Sequence, residues 1–494
     1  MDRYILAIDQ GTTGSTALLV CHDLSIKGKA TVDFPQHFPR PGWVEHDPEE
    51  IWFSVQQAIR RVMKDHHVHG DQVAAIGITN QRETTLLWDK ETGRPEGHAI
   101  VWQDRRSADI CRELKDRDLE PLFREKTGLI FDPYFAGTKL TWRLRHDGTL
   151  RKKAEDGKIA FGTVDTFLVW RLTGGQNHVT DVTNASRTLM MDLDTCSWNE
   201  DLCAHLEVPP AVLPEIAPSS KIYGHTEGLE LIPDGIPVSG MAGDQQAALF
   251  GQACFEPGES KCTYGTGAFL LANTGHNIVH SDSGLLTTVA WQLDEKAKPT
   301  YCLEGSAFIA GAAVQWLRDG LHLFKSSADI EAMAASVPDS GDVVFVPALT
   351  GLGAPHWNSE ARGLIRGLTR GTTAAHLARA TLEGIALQIH DLVAAMNRDR
   401  GETLSDLRVD GGAAQNDLLM QIQADLTELP VIRPQTVETT ALGAAMLAGL
   451  GIGFWPGLDE LKATWQEEKT FAPDMAEEQR KGLLSRWQEA LEKI

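Results

Sequence analysis

The sequence predicts an α/β protein of two duplicated domains that face each other across a central cleft. Three observations lead there. The chain has 494 residues, more than one hydrophobic core ordinarily serves, so two domains of roughly 200–250 residues are expected. A glycine-threonine turn between apolar runs occurs early, in "YILAIDQGTTGSTALLV" (4–20), and again in "ESKCTYGTGAFLLANTG" (259–275). Each copy is followed, in the same order, by a helical pattern, a buried strand and a polar loop.

The elements follow along the chain. "RYILAID", "TALLVCHD" and "KGKATVDF" read as three strands joined by turns within residues 3–34. Over 48–64, Ile51, Val55, Ala58 and Val62 recur at helical spacing, and Asp47 is placed to cap the helix. "VAAIGITNQ" then reads as a buried strand entering a loop. In the second half, the hairpin at 259–275 precedes a long helix in which Ala378, Leu382, Ile385, Ile389, Leu392 and Met396 form one stripe. "LRVDGGAAQ" follows as a strand and loop, with a helix starting near Asn416. The boundary falls near "LFGQACFEPG" (249–258), giving domains 1–251 and 252–494.

Composition narrows the function. With 42% hydrophobic and 23% charged residues the chain is globular. A net charge of −22 disfavours nucleic acid as a partner, because an acidic surface repels a phosphate backbone. Seven cysteines without C-x-x-C spacing read as reduced thiols of a cytoplasmic protein, and no secretory leader is expected. The apolar segment "ALGAAMLAGLGIGFW" (441–455) reads as a packed core helix, since its length of about 15 residues falls short of the roughly 20 a membrane span needs. No integral membrane segment is expected.

The first hairpin looks like a phosphate cradle, yet no P-loop lysine follows it and no helix opens after its glycines. Alone it reads equally well as a tight β-turn. Two facing hairpins, however, could grip a triphosphate from both sides, with backbone N–H groups and threonine hydroxyls as donors. Asp9 ends its strand where it could hold Mg²⁺ through water. Arg82 and Glu83 in "NQRET" are an adjacent donor and acceptor after an apolar strand; spacing alone also fits a surface ion pair. Asp244 in "MAGDQQ" is placed either to accept a proton or to cap the following helix, and the two roles are compatible. "DHHVHG" (65–70) follows a helix end and reads as ordinary polar surface.

"DQGTTGST", "GWVEHDPEEIW", "TNQRETT", "AIVWQDRR", "DPYFAGTK", "GDQQAALFGQ", "YGTGAFLL", "EGSAFIAGAAVQWLRD", "VDGGAAQND" and "TALGAAMLAGL" occur in this order from Asp9 to about Trp455. Together they resemble the glycerol kinases, carbohydrate kinases with the actin-like (ribonuclease H-like) ATPase fold. The resemblance implies ATP-dependent phosphorylation of glycerol to sn-glycerol 3-phosphate, with ATP and Mg²⁺ held between the domains. It implies Asp244 as general base. Arg82, Glu83, Trp102, Tyr134, Asp244, Gln245 and Phe269 would meet glycerol. Thr12, Thr13, Gly14, Thr266, Gly311, Gln315, Gly412 and Asn416 would meet the nucleotide, and Asp9 with Asp244 the metal. Dimers or tetramers are usual among such relatives, and closure of the cleft is expected to limit loss of phosphate to water.

Four departures accompany the resemblance. The common form places serine, serine and arginine after the paired threonines, whereas this chain has Gly14, Ser15 and Thr16. The arginine's charge has no counterpart within the hairpin, so nucleotide affinity is the property most exposed to change. His356 stands where relatives often carry tyrosine, and the last forty residues match little. Some bacterial relatives bind fructose 1,6-bisphosphate through a glycine-lysine loop; here "HTEGLELIPDGIPVSG" (225–240) lacks lysine and arginine, so that inhibition is expected to be absent or weak. His225 in this segment reads as a plain surface histidine.

Rival readings are less well supported. A pentulose or hexulose kinase would keep both hairpins but change "NQRET" and "DPYF". A dinucleotide dehydrogenase would need G-x-G-x-x-G between a strand and a helix, which "DQGTTGST" does not supply. An actin-like filament or chaperone ATPase would share the cleft without an acceptor pocket.

Overall fold

A computed structural model describes residues 3–358 and 360–494. Its first half is organised on a six-stranded sheet: β1 (Tyr4–Gln10), β2 (Gly14–Val20), β3 (Ile26–Asp33), β4 (Val73–Asn80), β5 (Ser220–His225) and β6 (Pro237–Gly243), in spatial order β5-β6-β4-β1-β2-β3. The second half carries a seven-stranded sheet of β7 (Ser260–Tyr264), β8 (Ala268–Gly275), β9 (Leu286–Trp291), β10 (Thr300–Ala307), β11 (Leu407–Asp410), β12 (Val431–Pro434) and β13 (Glu467–Phe471), ordered β9-β10-β8-β7-β11-β12-β13.

The duplication is visible in strand direction. β1 is antiparallel to β2 and parallel to β4, and β4 is parallel to β6. Likewise β7 is antiparallel to β8 and parallel to β11, and β11 is parallel to β12. The third strand of each hairpin set, β3 or β10, pairs antiparallel on the outer side. Central strands such as β4 are buried throughout, as their near-continuous apolar sequence requires when both faces are covered.

Helices supply the covers. α1 (Pro48–Asp65) is capped by Asp47, whose carboxylate accepts from the Glu49 N–H at 2.9 Å. Its buried Ile51, Val55, Ala58 and Val62 pack against Leu6, Ile8, Ala17 and Leu19. The opposite face of the same sheet, with Ile5, Ala7, Leu18 and Val20, packs on α2 (Asp244–Gly251) and on a helix from the far end of the chain. The remaining helices that frame the site are α3 (Gly311–Asp319), α4 (Ala374–Arg400), α5 (Asp417–Thr427), α6 (Thr439–Gly451) and α7 (Glu477–Leu491).

That distant helix is α6. It crosses α2 so closely that a Cβ on Gly251 would stand 1.9 Å from the Thr439 carbonyl oxygen, and one on Gly443 1.8 Å from that of Ala247. Only glycine allows backbones to meet there. Residues 441–451 of the apolar segment thus lie in a packed core helix while 452–455 form the turn after it, and no described helix is long and apolar enough to cross a membrane.

Several boundaries move. β2 begins at Gly14, not Thr16, because Gly11 N–H donates to the Gly14 carbonyl at 2.9 Å and closes the turn early. α4 continues to Arg400 and stops at Gly401, which is left-handed at φ +71°. A short 3₁₀ turn (Gly412–Gln415) precedes α5. The last forty residues supply edge strand β13 and helix α7. Trp487 on α7 is buried, and its indole donates to Asp391 Oδ2 at 2.8 Å. His356 Nε2 lies 3.2 Å from the same oxygen, so it serves to fasten its loop to α4. All seven cysteines are unpaired.

Candidate active site

The loop after β4 carries Arg82 and Glu83, and both are buried rather than exposed. Glu83 holds a left-handed backbone at φ +60°, a strained conformation for a non-glycine residue. Arg82 grips Glu304 of β10 with two bonds, Nη1 to Oε2 at 2.6 Å and Nη2 to Oε1 at 2.9 Å. Its Nη1 also donates to Gln246 Oε1 at 3.1 Å, its Nη2 to the Tyr134 hydroxyl at 3.2 Å, and its Nε lies 3.2 Å from Asp244 Oδ1. One guanidinium therefore ties the loop after β4, Tyr134, Asp244 and Glu304 of the second half together.

Arg187 completes this network. Its Nε donates to Glu83 Oε1 at 2.6 Å and its Nη2 to Glu304 Oε1 at 3.1 Å. Burial alone would raise the Glu304 pKa, but the Arg187 and Arg82 guanidiniums overrule it and hold the carboxyl at about 2. Burial pushes the Glu83 pKa up and outweighs its two arginine neighbours, with Glu304 adding a smaller repulsion. Lys139 is also buried; its ammonium donates to the carbonyls of Tyr134 and Phe135 and pins the loop that carries Tyr134. Desolvation lowers its pKa to about 8.

The aromatic wall meets the first hairpin directly. Trp102 packs edge-on to Tyr134 with ring centroids 5.8 Å apart, and its indole donates to Thr12 Oγ1 at 3.0 Å. Phe269 is half-buried on β8, on the sheet face that also presents Glu304 and Thr263. Gln245 Oε1 accepts from the buried Lys261 ammonium at 2.5 Å, and Lys261 also donates to Thr263 Oγ1 at 2.9 Å. Burial lowers the Lys261 pKa, against the pull of Asp410 and Asp244.

Asp244 is the first residue of α2, with Gly243 rather than Asp244 as the cap. The carboxylate is about one-third exposed. Its Oδ1 accepts from Gln245 N–H at 2.7 Å and faces Arg82 Nε, which fixes that oxygen in place. Asp9 is the penultimate residue of β1 and is half-buried. Burial, then the Asp244 and Glu438 carboxylates, raise its pKa from 3.8 to about 7.

The expected nucleotide residues form two groups. Thr12, Thr13 and Gly14 line the first hairpin, with Thr13 exposed at its tip. In the second hairpin, Thr266 is exposed, and its carbonyl accepts from Ala310 and Ala312 N–H at 2.8 and 3.1 Å. Gly311 N–H donates to the Gly265 carbonyl at 3.0 Å, so hairpin tip and α3 form one unit. Gln315 is exposed one turn along α3. Gly411 is left-handed at φ +87° with the Tyr264 carbonyl 2.5 Å from any added Cβ, which fixes the turn. Gly412 next to it faces open space, so packing within the chain does not account for its lack of a side chain. Asn416 is partly occupied as the cap of α5, its side-chain oxygen accepting from Leu419 N–H at 2.8 Å.

The departures also have a local logic. A Cβ at Gly14 would stand 2.9 Å from Asp33 Oδ1, Ser15 pairs with Ser54 at 2.7 Å, and Thr16 with Thr31 at 2.9 Å. The 225–240 segment keeps its acidic character, with Glu230 paired to Arg60. A cavity of about 440 Å³ lined by Trp52, Lys90, Trp170 and Arg171 shares no residue with this site.

Two family models cover most of the chain: the N-terminal domain of the FGGY family of carbohydrate kinases over residues 4–251 and its C-terminal domain over 260–452. The chain belongs to the FGGY carbohydrate kinases. Within that family it is 60% identical to a glycerol kinase of Myxococcus xanthus over 491 residues, 99% of each chain. It is 55% identical to one of Bdellovibrio bacteriovorus over 494 residues, the full length of both. Among solved structures, a Plasmodium falciparum glycerol kinase with ADP superposes at a TM-score of 0.94 with 38% identity, covering 100% of this chain and 98% of that one. A xylulose kinase of Lactobacillus acidophilus shares the FGGY fold at a TM-score of 0.87 and 23% identity, covering 99% and 97%.

Arg187, Glu304, Gln246 and Lys261 are the site residues that sequence reading missed. Glu304 and Lys261 did leave a signal: each is a single charge within a strand whose neighbours are buried.

Proposed function

We propose that this FGGY kinase transfers the terminal phosphoryl group of ATP to a primary hydroxyl of glycerol, giving sn-glycerol 3-phosphate. The observation that supports it best is the continuous network from Thr12 through Trp102, Tyr134 and Arg82 to Asp244. It sets an acceptor pocket of hydroxyl-binding groups and an aromatic edge beside a phosphate hairpin. High identity to glycerol kinases over the full length supports the same acceptor.

In this reading Tyr134, Glu83, Arg82 and Gln245 orient the hydroxyls, and Trp102 and Phe269 exclude water from the carbon edge. The acceptor oxygen attacks the γ-phosphorus, the bond to the β–γ bridging oxygen breaks, and ADP leaves. The hydroxyl proton passes to Asp244 Oδ2, Oδ1 being held by the Gln245 N–H and Arg82. Phosphoryl transfer has a loose transition state, so this proton moves late. The two threonine hairpins hold the nucleotide, with Gly412 giving it room to lie on the backbone. Unpaired cysteines fit a reducing, cytoplasmic setting.

Mg²⁺ fits the floor of the cleft. Burial and the neighbouring Asp244 and Glu438 carboxylates make a charged Asp9 costly, a cost that a cation beside it would offset. No three described acidic, histidine or cysteine side chains stand close enough to enclose an ion alone. Magnesium typically keeps several waters and takes one or two carboxylates beside substrate phosphates, so Asp9 and Asp244 are sufficient. When bound, the ion neutralises phosphate charge.

ADP formation from MgATP should depend on glycerol, with dihydroxyacetone, xylulose and gluconate much poorer. Turnover led by one of those sugars would move the acceptor assignment and keep the nucleotide site. The Asp9 assignment has its own test. Its folded pKa lies above its unfolded value of 3.8, so its contribution to stability declines as pH rises through about 7. A bound cation reverses that penalty. Apparent Mg²⁺ affinity should therefore weaken about tenfold between pH 8 and pH 6 as Asp9 takes up its proton. The thermal shift given by Mg²⁺ should be larger at pH 8; equal shifts at both pH values would remove Asp9 from the metal site.

A further inference from the structure

The first hairpin lacks a cation, and the groups around it are mostly acidic. Residues 11–16 contain no lysine or arginine, while Asp33 Oδ1 stands 2.9 Å from where a Gly14 Cβ would be and Asp244 and Glu438 act on Asp9 just before the hairpin turn. A polyphosphate set against such a wall requires a positive group from elsewhere in the chain.

β3 provides one. In register, Asp9 pairs with Thr16 and Thr16 with Thr31, while Ala7 pairs with Leu18 and Leu18 with Lys29. Paired residues share a sheet face, so Asp9, Thr16, Thr31 and Lys29 lie on one side, the side that packs on α6. The Lys29 ammonium is paired with Glu438, the residue before α6. Same-face neighbours on a strand are about 7 Å apart, a distance that lysine's flexible four-carbon stem spans. From Glu438 it can therefore reach the phosphate side of Thr16. Lys29 already acts on this region, since it is the cation that opposes the rise in the Asp9 pKa. Lysine on an edge strand also serves to block strand pairing, but that role does not require a partner at the start of a helix from the other half of the chain.

We propose that Lys29 is the phosphate-binding cation of the first hairpin, standing in for a charge the hairpin lacks, and that its pair with Glu438 is the resting contact it leaves to meet the phosphates. This rests on the kinase reading above. The contact is with the nucleotide, so it can be measured without an acceptor.

The test is titration of MgADP, followed by tryptophan fluorescence, in the full chain and three variants. Lys29→Met should weaken binding about tenfold, as expected for loss of a charge-assisted contact, with an unchanged melting temperature. Glu438→Gln breaks the same ion pair but leaves the lysine, and should bind MgADP at least as well as the parent. Adding Thr16→Arg to Lys29→Met should restore affinity by placing a guanidinium beside the phosphates. Unchanged binding in Lys29→Met would overturn the proposal. An equal loss in Glu438→Gln would also overturn it, because the bridge and not the charge would then matter. Normal Lys29-dependent MgADP binding without glycerol-dependent turnover would remove the acceptor assignment and leave this one standing.

Discussion

Asp244→Asn should lower kcat for glycerol-dependent ADP formation by about 10²–10⁴-fold, the range that general-base catalysis usually supplies. The substitution is nearly isosteric. An amide oxygen can still accept from the Gln245 N–H and face Arg82 Nε, as Oδ1 does now. What it loses is the capacity to take the acceptor proton, together with one of the two negative charges beside the metal position, so MgADP binding is measured alongside to separate the two. KM for glycerol should accordingly change far less than kcat, because the hydroxyl-binding groups stay where they are. A variant retaining kcat within about tenfold of the parent would remove Asp244 as the base.

Glu304→Gln should be the most destabilising single change at the site. Glu304 is the shared partner of two buried guanidiniums, with bonds of 2.6 and 2.9 Å to Arg82 and 3.1 Å to Arg187. The variant leaves Arg82 and Arg187 facing each other with Glu83 as their remaining fully buried carboxylate. Breaking a buried ion pair from one side costs about 3–5 kcal/mol. The sign of its pH dependence is fixed. The folded pKa is lowered from 4.5 to about 2, so the stabilisation is complete above about 4.5 and is lost as pH falls toward 2. Denaturant midpoints of the two proteins should therefore differ at neutral pH and converge in acid. KM for glycerol should rise with the same substitution, since Arg82 would no longer be anchored. A variant with parental midpoint and KM would show that the network positions nothing.

The parts of this protein legible in its sequence are those governed by local pattern. The α1 stripe and its Asp47 cap, the two hairpins and the α4 stripe all depend on spacing and turn chemistry, and all appear where spacing places them. Boundaries slipped where hydrogen bonds outside the pattern decide, as at Gly14, where the turn closes early. Arg82 and Glu83 show what pattern cannot carry. As neighbours in sequence they read as a pair for each other, yet Arg82 Nε is 3.8 Å from Glu83 while both make shorter bonds to residues more than a hundred positions away. Arg187, Glu304 and Lys261 went unassigned for that reason. Their significance lies in tertiary pairing, and nothing in their immediate sequence names the partner. Thr16 reads in the sequence as a missing charge, while Lys29, the nearby cation, becomes visible only through the register of β2 with β3.

The position of α6 also sets an order of events during synthesis. Ile5, Ala7, Leu18 and Val20 share a cluster with Leu442, Ala445 and Met446, so the first sheet is roofed by a helix made near the end of translation. Ribosomes add about 5–20 residues per second, and about 200 residues separate β6 from the end of α6, a delay of roughly 10–40 s. Throughout it the first half has emerged with an apolar face still lacking its cover. In the cell, keeping that face from sticking to other chains is a matter of timing as much as of final stability.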